Sequence, residues 1–287
     1  MRWYDINGKK YESVTTILGD TTPQNWMLPY VKKHAREALL DIVENLEGEI
    51  TEKDLKYCLD AHKRHSEVAM AFGSLVHSGA EVYHKLWDED FLEYLNLLDE
   101  YVPNLLPMIS TYFKALLREG IIVIKSEQTV WYDDGKIEYA GTLDEIVEIE
   151  NELGILDIKT FTPKFKWKAF NGGKRALRVA DTKEELEVLV KGKECEIRKV
   201  YDNKVPDKKD HWVQTEAYRR AYNWLQAIKA GNRIGKVQFP RPIFNRFILY
   251  LNKLDTSHYE LVKIPQETND EHWEVFKAQY TTHKFYK

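Results

Sequence analysis

The stretch from Gly141 to Thr160 constrains this chain more than any other. It reads Gly141-Thr142-Leu143-Asp144, then twelve residues, then Asp157-Ile158-Lys159-Thr160. Ile137 to Ile149 and Gly154 to Lys159 have the composition of strands, and Glu150-Asn151-Glu152 reads as the polar turn between them. With the turn centred between Glu150 and Asn151, paired positions sum to 301 and Asp144 lies opposite Asp157. Cross-strand partners sit ~5 Å apart at Cβ. Asp157 and Lys159 are two apart, so their side chains leave one face of the strand. Ile155, Leu156 and Ile158 surround Asp157, which predicts a buried strand. A buried carboxylate is costly unless it is paired or bound to a metal. Two carboxylates at this spacing repel unless a cation lies between them, and oxygen ligands of this kind suit Mg²⁺ or Mn²⁺. A lysine beside such an ion can hold a water or offset charge on a phosphate. The competing reading is an exposed strand on which acids and lysines alternate.

The rest of the chain supplies the frame. Residues 1–30 read as irregular, with Pro23 and Pro29 as breakers and a short strand or turn at Ser13-Val14-Thr15-Thr16-Ile17-Leu18. From Tyr30 to about Glu119 the pattern is helical, in segments such as Thr51 to His65, Val68 to Trp87 and Leu105 to Arg118. Thr51 ahead of Glu52, Lys53 and Asp54 is an N-cap, and Pro103 and Pro107 bracket a helix start. At Gly120 the character turns to strands, through Ile121–Ile124 and Thr129–Tyr132, with a turn at Asp133–Lys136. His211 to Lys229 reads as a helix ended by Gly231-Asn232. Phe244 to Asn252 and His258 to Ile264 read as strands, and Asn269 to about His283 as a closing helix. The expected fold is α/β (α+β), a central mixed sheet flanked by helices. Its parts are an N-terminal helical region at 1–119 and a core at 120–287, in one structural unit.

Residues 161–210 stand apart. They carry 14 Lys/Arg against nine Asp/Glu, a local +5 in a chain of formal charge −4. Phe161, Phe165, Trp167 and Phe170 are interleaved with Lys164, Lys166 and Lys168, and no acid occurs before Asp181. This pattern fits either a strand-holding element, with lysines on phosphates and an aromatic on an unpaired base, or a solvated flap with aromatics on the core. The near-neutral total charge gives no global sign of a nucleic-acid partner, so any anionic partner needs such a local patch. The longest apolar runs fall far short of the ~18 residues of a membrane span, and the N-terminus has no signal-peptide core. The expected setting is therefore cytoplasmic, not secreted and not in a membrane. Cys58 and Cys195 are too few for a four-thiolate cluster, so no iron–sulfur cluster is expected.

Five segments together resemble a known family. They are Gly73-Ser74-Leu75-Val76-His77, Glu127, Gly141-Thr142-Leu143-Asp144, Asp157-Ile158-Lys159-Thr160, and Gln214-Thr215-Glu216-Ala217-Tyr218. In this order they resemble the RecB-like exonuclease branch of the PD-(D/E)XK nuclease superfamily. That branch carries a G-x-x-x-H helix, a G-x-x-D strand, a D-x-K-T strand and a Q-x-x-x-Y helix. The Ser13–Leu18 opening is similar to phage-type and mitochondrial genome maintenance exonucleases. The likeness runs from Ser13 to Tyr218, about 70% of the chain.

The resemblance implies a restriction-endonuclease-like core and a Mg²⁺- or Mn²⁺-dependent DNA exonuclease. It would act on single strands or ends in recombination, replication or repair, alongside a partner protein of those processes, in a bacterial or virus-infected cell. It makes His77, Asp144 and Asp157 metal ligands, with the backbone carbonyl of Ile158, and Lys159 the catalytic lysine. Gln214 and Tyr218 would contact the strand. Glu127 has two readings, a member of the site from the first strand or a structural ion pair. Read without the family, His77 sits beside the apolar face of its helix, and Gln214 and Tyr218, four apart, form an ordinary core edge. Lys164, Lys166, Trp167 and Lys168 are the DNA-binding candidates of the basic segment. Two other functions stay open, an endonuclease of the same superfamily and a non-catalytic nucleic-acid-binding module.

Overall fold

A five-stranded mixed sheet carries helices on both of its faces. The computed structural model describes residues 2–22, 27–45, 49–85, 105–173, 176–180, 183–202, 209–231 and 242–287. The chain opens with a hairpin of Trp3–Ile6 (β1) and Lys9–Glu12 (β2), turning through Asn7 and Gly8, both at positive φ. Helices follow at Val14–Thr21 (α1), Met27–Glu44 (α2), Glu52–Leu59 (α3), Ala61–Lys85 (α4) and Leu105–Arg118 (α5). Then come strands Ile122–Asp133 (β3), Glu138–Ile149 (β4) and Glu152–Phe161 (β5). After the basic segment lie helix Lys209–Gly231 (α7), strands Asn245–Asn252 (β9) and Tyr259–Ile264 (β10), and helix Asn269–Phe285 (α8). The sheet order is β10-β9-β5-β4-β3, with β5 and β9 parallel and the other neighbours antiparallel. This is the mixed sheet flanked by helices that the patterning predicts. No helix among the described residues is long and apolar enough to cross a membrane.

One face of the sheet packs Val147, Leu156, Ile158, Phe247 and Leu249 against α4 and α5, through Val76, Met108, Ile109 and Tyr112. The other face packs Val130, Leu143, Ile146 and Ile155 against α1, α7 and α8, through Ile17, Ala217 and Phe276. Burying each such side chain contributes on the order of 1.5–3 kcal/mol, which holds the sheet rigid between its helices. β9 is buried at every position, as a strand covered on both faces must be.

The β4–β5 hairpin has the register expected from its turn. Glu145 pairs with Leu156 and Ile149 with Glu152, each pair summing to 301. Glu150 and Asn151 both adopt left-handed φ, at 53° and 64°, the geometry of a two-residue turn matched to strand twist. Thr51 caps α3 with a reciprocal capping box to Asp54.

Two expectations fail in the first 30 residues. The segment at Ser13–Leu18 is neither strand nor turn but the start of α1. Ser13 Oγ accepts from the Thr16 amide at 3.0 Å, and Val14, Ile17 and Leu18 are buried at helical spacing. The β-branched run suggested extension, and the cap with its apolar face prevailed. Nor are residues 2–12 irregular, since they form the β1–β2 hairpin. They form a two-stranded sheet of their own, tied to the core where Ser13 bridges to Ala140 of β4 and buried Glu12 accepts from His283 of α8 at 3.1 Å. Thr51 to His65 is also interrupted, with α3 ending at Leu59 and α4 starting at Ala61. The breakers Pro23 and Pro103, the helix end at Trp87 and Asn232 lie outside the described residues.

The basic segment folds on itself. Lys164–Phe170 (β6) is flanked by Arg178–Ala180 (β7) and Glu196–Asp202 (β8) in a three-stranded antiparallel sheet. A short helix at Lys183–Leu189 (α6) covers one face, burying Ala169, Ala180, Leu186 and Val190.

Candidate functional site

Alternation along β5 sends Asp157 and Lys159 out on the face that carries Ile155, toward α7. The β4–β5 ladder ends at Glu145 and Leu156. One position further, Asp144 Oδ2 accepts from the Ile158 amide at 2.7 Å, replacing a ladder bond with a side chain. The strands part there, and the gap becomes a cleft of about 610 Å³ lined by His77, Glu127, Asp144, Ile158, Lys159, Gln214 and Tyr218.

Three elements converge at its floor. His77 comes from α4, Glu127 from β3 and Asp144 from β4, with one donor atom of each lying within 4.8 Å of the others. His77 Nδ1 is 3.4 Å from Asp144 Oδ1 and 3.9 Å from Glu127 Oε1. In the β3–β4 register Ser126 pairs with Glu145 and Gln128 with Leu143, so Glu127 and Asp144 hold the opposed positions between. Glu127 does so with φ of +48°, a left-handed conformation that an ordinary strand residue avoids. Strain of this kind gathers at functional sites.

Asp157 stands behind the cleft and is 1% exposed. Lys159 Nζ donates to its Oδ1 at 2.9 Å. Its Oδ2 lies 2.8 Å from the same nitrogen but is buried without a hydrogen bond. Burial pushes the Asp157 carboxyl up to about 6, with nearby Asp144 adding to the rise and Lys159 opposing it. Asp144 is also buried, yet His77, Lys159 and the Ile158 amide outweigh that burial and hold it below the usual carboxylate range. Burial and the charge of Asp144 raise Glu127. For Lys159 and His77 burial favours the neutral form, but the neighbouring carboxylates prevail and raise both. Neighbouring carboxylates held at different proton affinities are what acid–base and metal chemistry use.

Gly141 explains its own place in the strand motif. A Cβ there would lie 2.4 Å from the Tyr218 ring, so only glycine lets α7 approach β4. Tyr218 is nearly buried, and its hydroxyl accepts from Gln214 Nε2 at 3.1 Å. Burial, with Asp157 nearby, raises the Tyr218 phenol far above its ordinary value. The two residues therefore form a hydrogen-bonded pair on the cleft wall rather than a plain core edge. Gly73 also borders the cleft, where a Cβ would find only Thr160 Oγ1, at 4.0 Å.

Sequence reasoning missed Arg2, Thr15, Glu81 and Thr142, which also line the cleft. The first two arrive with the N-terminal hairpin and α1. The Arg2 amide donates to Thr16 Oγ1 at 3.1 Å, and the Tyr4 hydroxyl meets Thr142 Oγ1 at 3.1 Å. Thr142 inside the G-x-x-D motif, Thr15 inside the Ser13–Leu18 opening and Glu81 one turn beyond His77 had a sequence signal; Arg2 had none.

The basic segment divides its residues by face. Lys164 and Lys166 are exposed and Lys168 half-buried, on the alternate face from Phe165, Trp167 and Ala169. Trp167 packs on the small core of the segment, while Phe165 and Tyr201 are exposed with Lys199 Nζ 3.8 Å from the Phe165 ring.

No family model and no curated protein matches the sequence. A solved structure, "Crystal structure of SSO0001", aligns with 71% of this chain and 74% of that chain at 12% identity and a TM-score of 0.27. A likeness that low carries no argument about the site.

Proposed function

We propose that this chain is a divalent-metal-dependent nuclease that hydrolyses phosphodiester bonds of DNA, acting on ends or single strands. The observation that carries the reading is the convergence of His77, Glu127 and Asp144 beside Lys159 in one open cleft. The residues fit a Mg²⁺ or Mn²⁺ ion. The donor set is mainly carboxylate oxygen, and the buried Oδ2 of Asp157, ion-paired to Lys159 but without an aligned hydrogen bond, is a further oxygen close by. Asp144, Glu127 and His77 would hold the ion, with Asp157 and the carbonyl of Ile158 as further oxygens. When bound, such an ion polarises a phosphate and lowers the pKa of a coordinated water.

The chain's own groups do the rest. Asp157 anchors the Lys159 ammonium at one point, so its positive charge stands ready where negative charge develops on the phosphate. Lysine suits this role as a compact charge, and the planar fork of arginine would not reproduce it. Gln214 and Tyr218 form the wall along which a strand would lie. Lys164 and Lys166, exposed on the sheet that follows β5 directly, would track phosphates beyond the cleft.

The test is digestion of 5′- and 3′-labelled single- and double-stranded DNA with Mg²⁺, Mn²⁺ or chelator. Ion-dependent release from ends supports the reading, and its absence with every substrate overturns it. Cleavage of a closed circle would assign an endonuclease instead, and binding without cleavage a non-catalytic module. Lys164→Glu with Lys166→Glu should weaken DNA binding roughly tenfold at low salt and less at high salt.

A further inference from the structure

A second convergence of ligating side chains lies outside the cleft, where α2 crosses α4. His34 and Glu37 share a face of α2 at i, i+3 spacing, and His65 comes from α4. One donor atom of each lies within 4.8 Å of the other two. The His34 and His65 rings stack with centroids 4.0 Å apart, and Glu37 Oε2 is 3.0 Å from His34 Nδ1.

His34 is only 8% exposed, and its buried Nδ1 faces the Glu37 carboxylate 3.0 Å away without a well-aligned hydrogen bond. Glu37 and His65 are exposed, so both remain accessible to an ion from solvent.

We propose that His34, Glu37 and His65 form a second metal site, for a divalent transition ion of the Zn²⁺ class, which clamps α2 to α4. Two imidazoles and one carboxylate are a borderline donor set that favours Zn²⁺ over Mg²⁺. Metal–ligand bonds of ~2.0–2.1 Å in a tetrahedron place donors about 3.3 Å apart, a modest closure from the present spacing. The fourth position is left to water. His65 lies three turns from His77 on the same helix, so the clamp steadies the element that brings a ligand to the cleft.

The experiment titrates Zn²⁺ alone into metal-stripped full-length protein by calorimetry and repeats thermal melts with and without the ion. Asp144→Asn is used as background, so that the cleft does not contribute. One Zn²⁺ should bind the Asp144→Asn protein and raise its melting temperature. Adding His65→Ala should weaken binding roughly tenfold or more and abolish the shift. Glu37→Gln should weaken binding in the same direction. Both added changes are at exposed positions, and circular dichroism confirms the fold. Equal Zn²⁺ binding with and without His65, or no binding to the Asp144→Asn protein, would overturn the proposal. The nuclease reading is assayed with Mg²⁺ on DNA, so either can fail without the other.

Discussion

Two clusters of buried charge sit on α7 and the strands beside it, and they are built on opposite principles. Around Glu216, every donor has an acceptor. Its carboxylate takes Arg219 Nη2 at 2.7 Å, Arg220 Nε at 2.8 Å and Arg219 Nε at 2.8 Å, with Arg246 Nε at 3.3 Å. Arg246, fully buried, also donates to Asn269 Oδ1, the Trp212 carbonyl and His272 Nδ1. Around Asp157, by contrast, one carboxylate oxygen has no hydrogen bond, a strand residue is held at positive φ, and the group opens onto a cleft. A saturated network holds helices to a sheet and leaves nothing to bind. An unsaturated one at the end of a ladder keeps capacity for a ligand, which is what the proposed function uses. The presence of buried charge does not separate structure from chemistry; the state of its partners does.

Substitutions in each cluster should therefore give opposite signatures. The largest effect expected is from Lys159→Ala, which should lower DNA cleavage by on the order of 10³-fold while leaving DNA binding in place. Full cleavage by this variant, followed on end-labelled DNA, would break the comparison at its functional end. Glu216→Gln should do the reverse. Three guanidiniums would then share a neutral partner, at a loss of about 3–5 kcal/mol in urea unfolding, with cleavage per folded molecule retained. A large catalytic loss without destabilisation would show that the saturated cluster is not merely structural.

Gly141→Ala links the two clusters, because it pushes Tyr218 and with it α7. It should cost about 1–3 kcal/mol and also reduce cleavage, where an Ala at Gly73, in open space, should do neither. The smallest effect expected is on pH. Burial, then Arg246, lowers His272 below its ordinary value, so the fold prefers the neutral ring. The unfolded chain takes up the proton first, near pH 6.5, so this contribution is complete above that pH. It is lost as pH falls through 6.5 toward the lower folded value, by at most ~1.4 kcal/mol per pH unit. Denaturation of wild type and His272→Gln at pH 5.5 and 7.5 should show a narrower gap at the lower pH. A gap that is unchanged or wider would contradict the assignment.

Much of the sheet was legible because its cause is local. The β4–β5 register follows from a two-residue turn and an alternating apolar pattern, both written in Gly141–Phe161. The α5 boundaries and the Thr51 cap are local in the same sense. Misreadings fell where local and distant preferences disagree. Val14-Thr15-Thr16-Ile17 favours extension, and the Ser13 cap together with packing of α1 against β4 and α8 makes the helix the better outcome. The basic segment gave a charge count but not its own three-stranded sheet, because pairing β6 with both β7 and β8 depends on contacts up to 38 residues apart.

For the candidate site, the residue types and their order along the chain were determined by sequence alone. His77, Asp144, Asp157, Lys159, Gln214 and Tyr218 could be singled out before any fold was known. Two matters were decided only in three dimensions. Glu127 had equal claims as ligand and as ion pair, and the register of β3 against β4 put it opposite Asp144. Asp157 and Asp144 differ little as sequence, yet one is raised and the other lowered, since one is buried beside a single ammonium and the other takes an amide and an imidazole as well. A sequence specifies which groups are present and, through short-range periodicity, which face of an element they leave. Proton affinity and ligand geometry depend on distances of a few ångströms between groups far apart in the chain, and only the packed fold sets those.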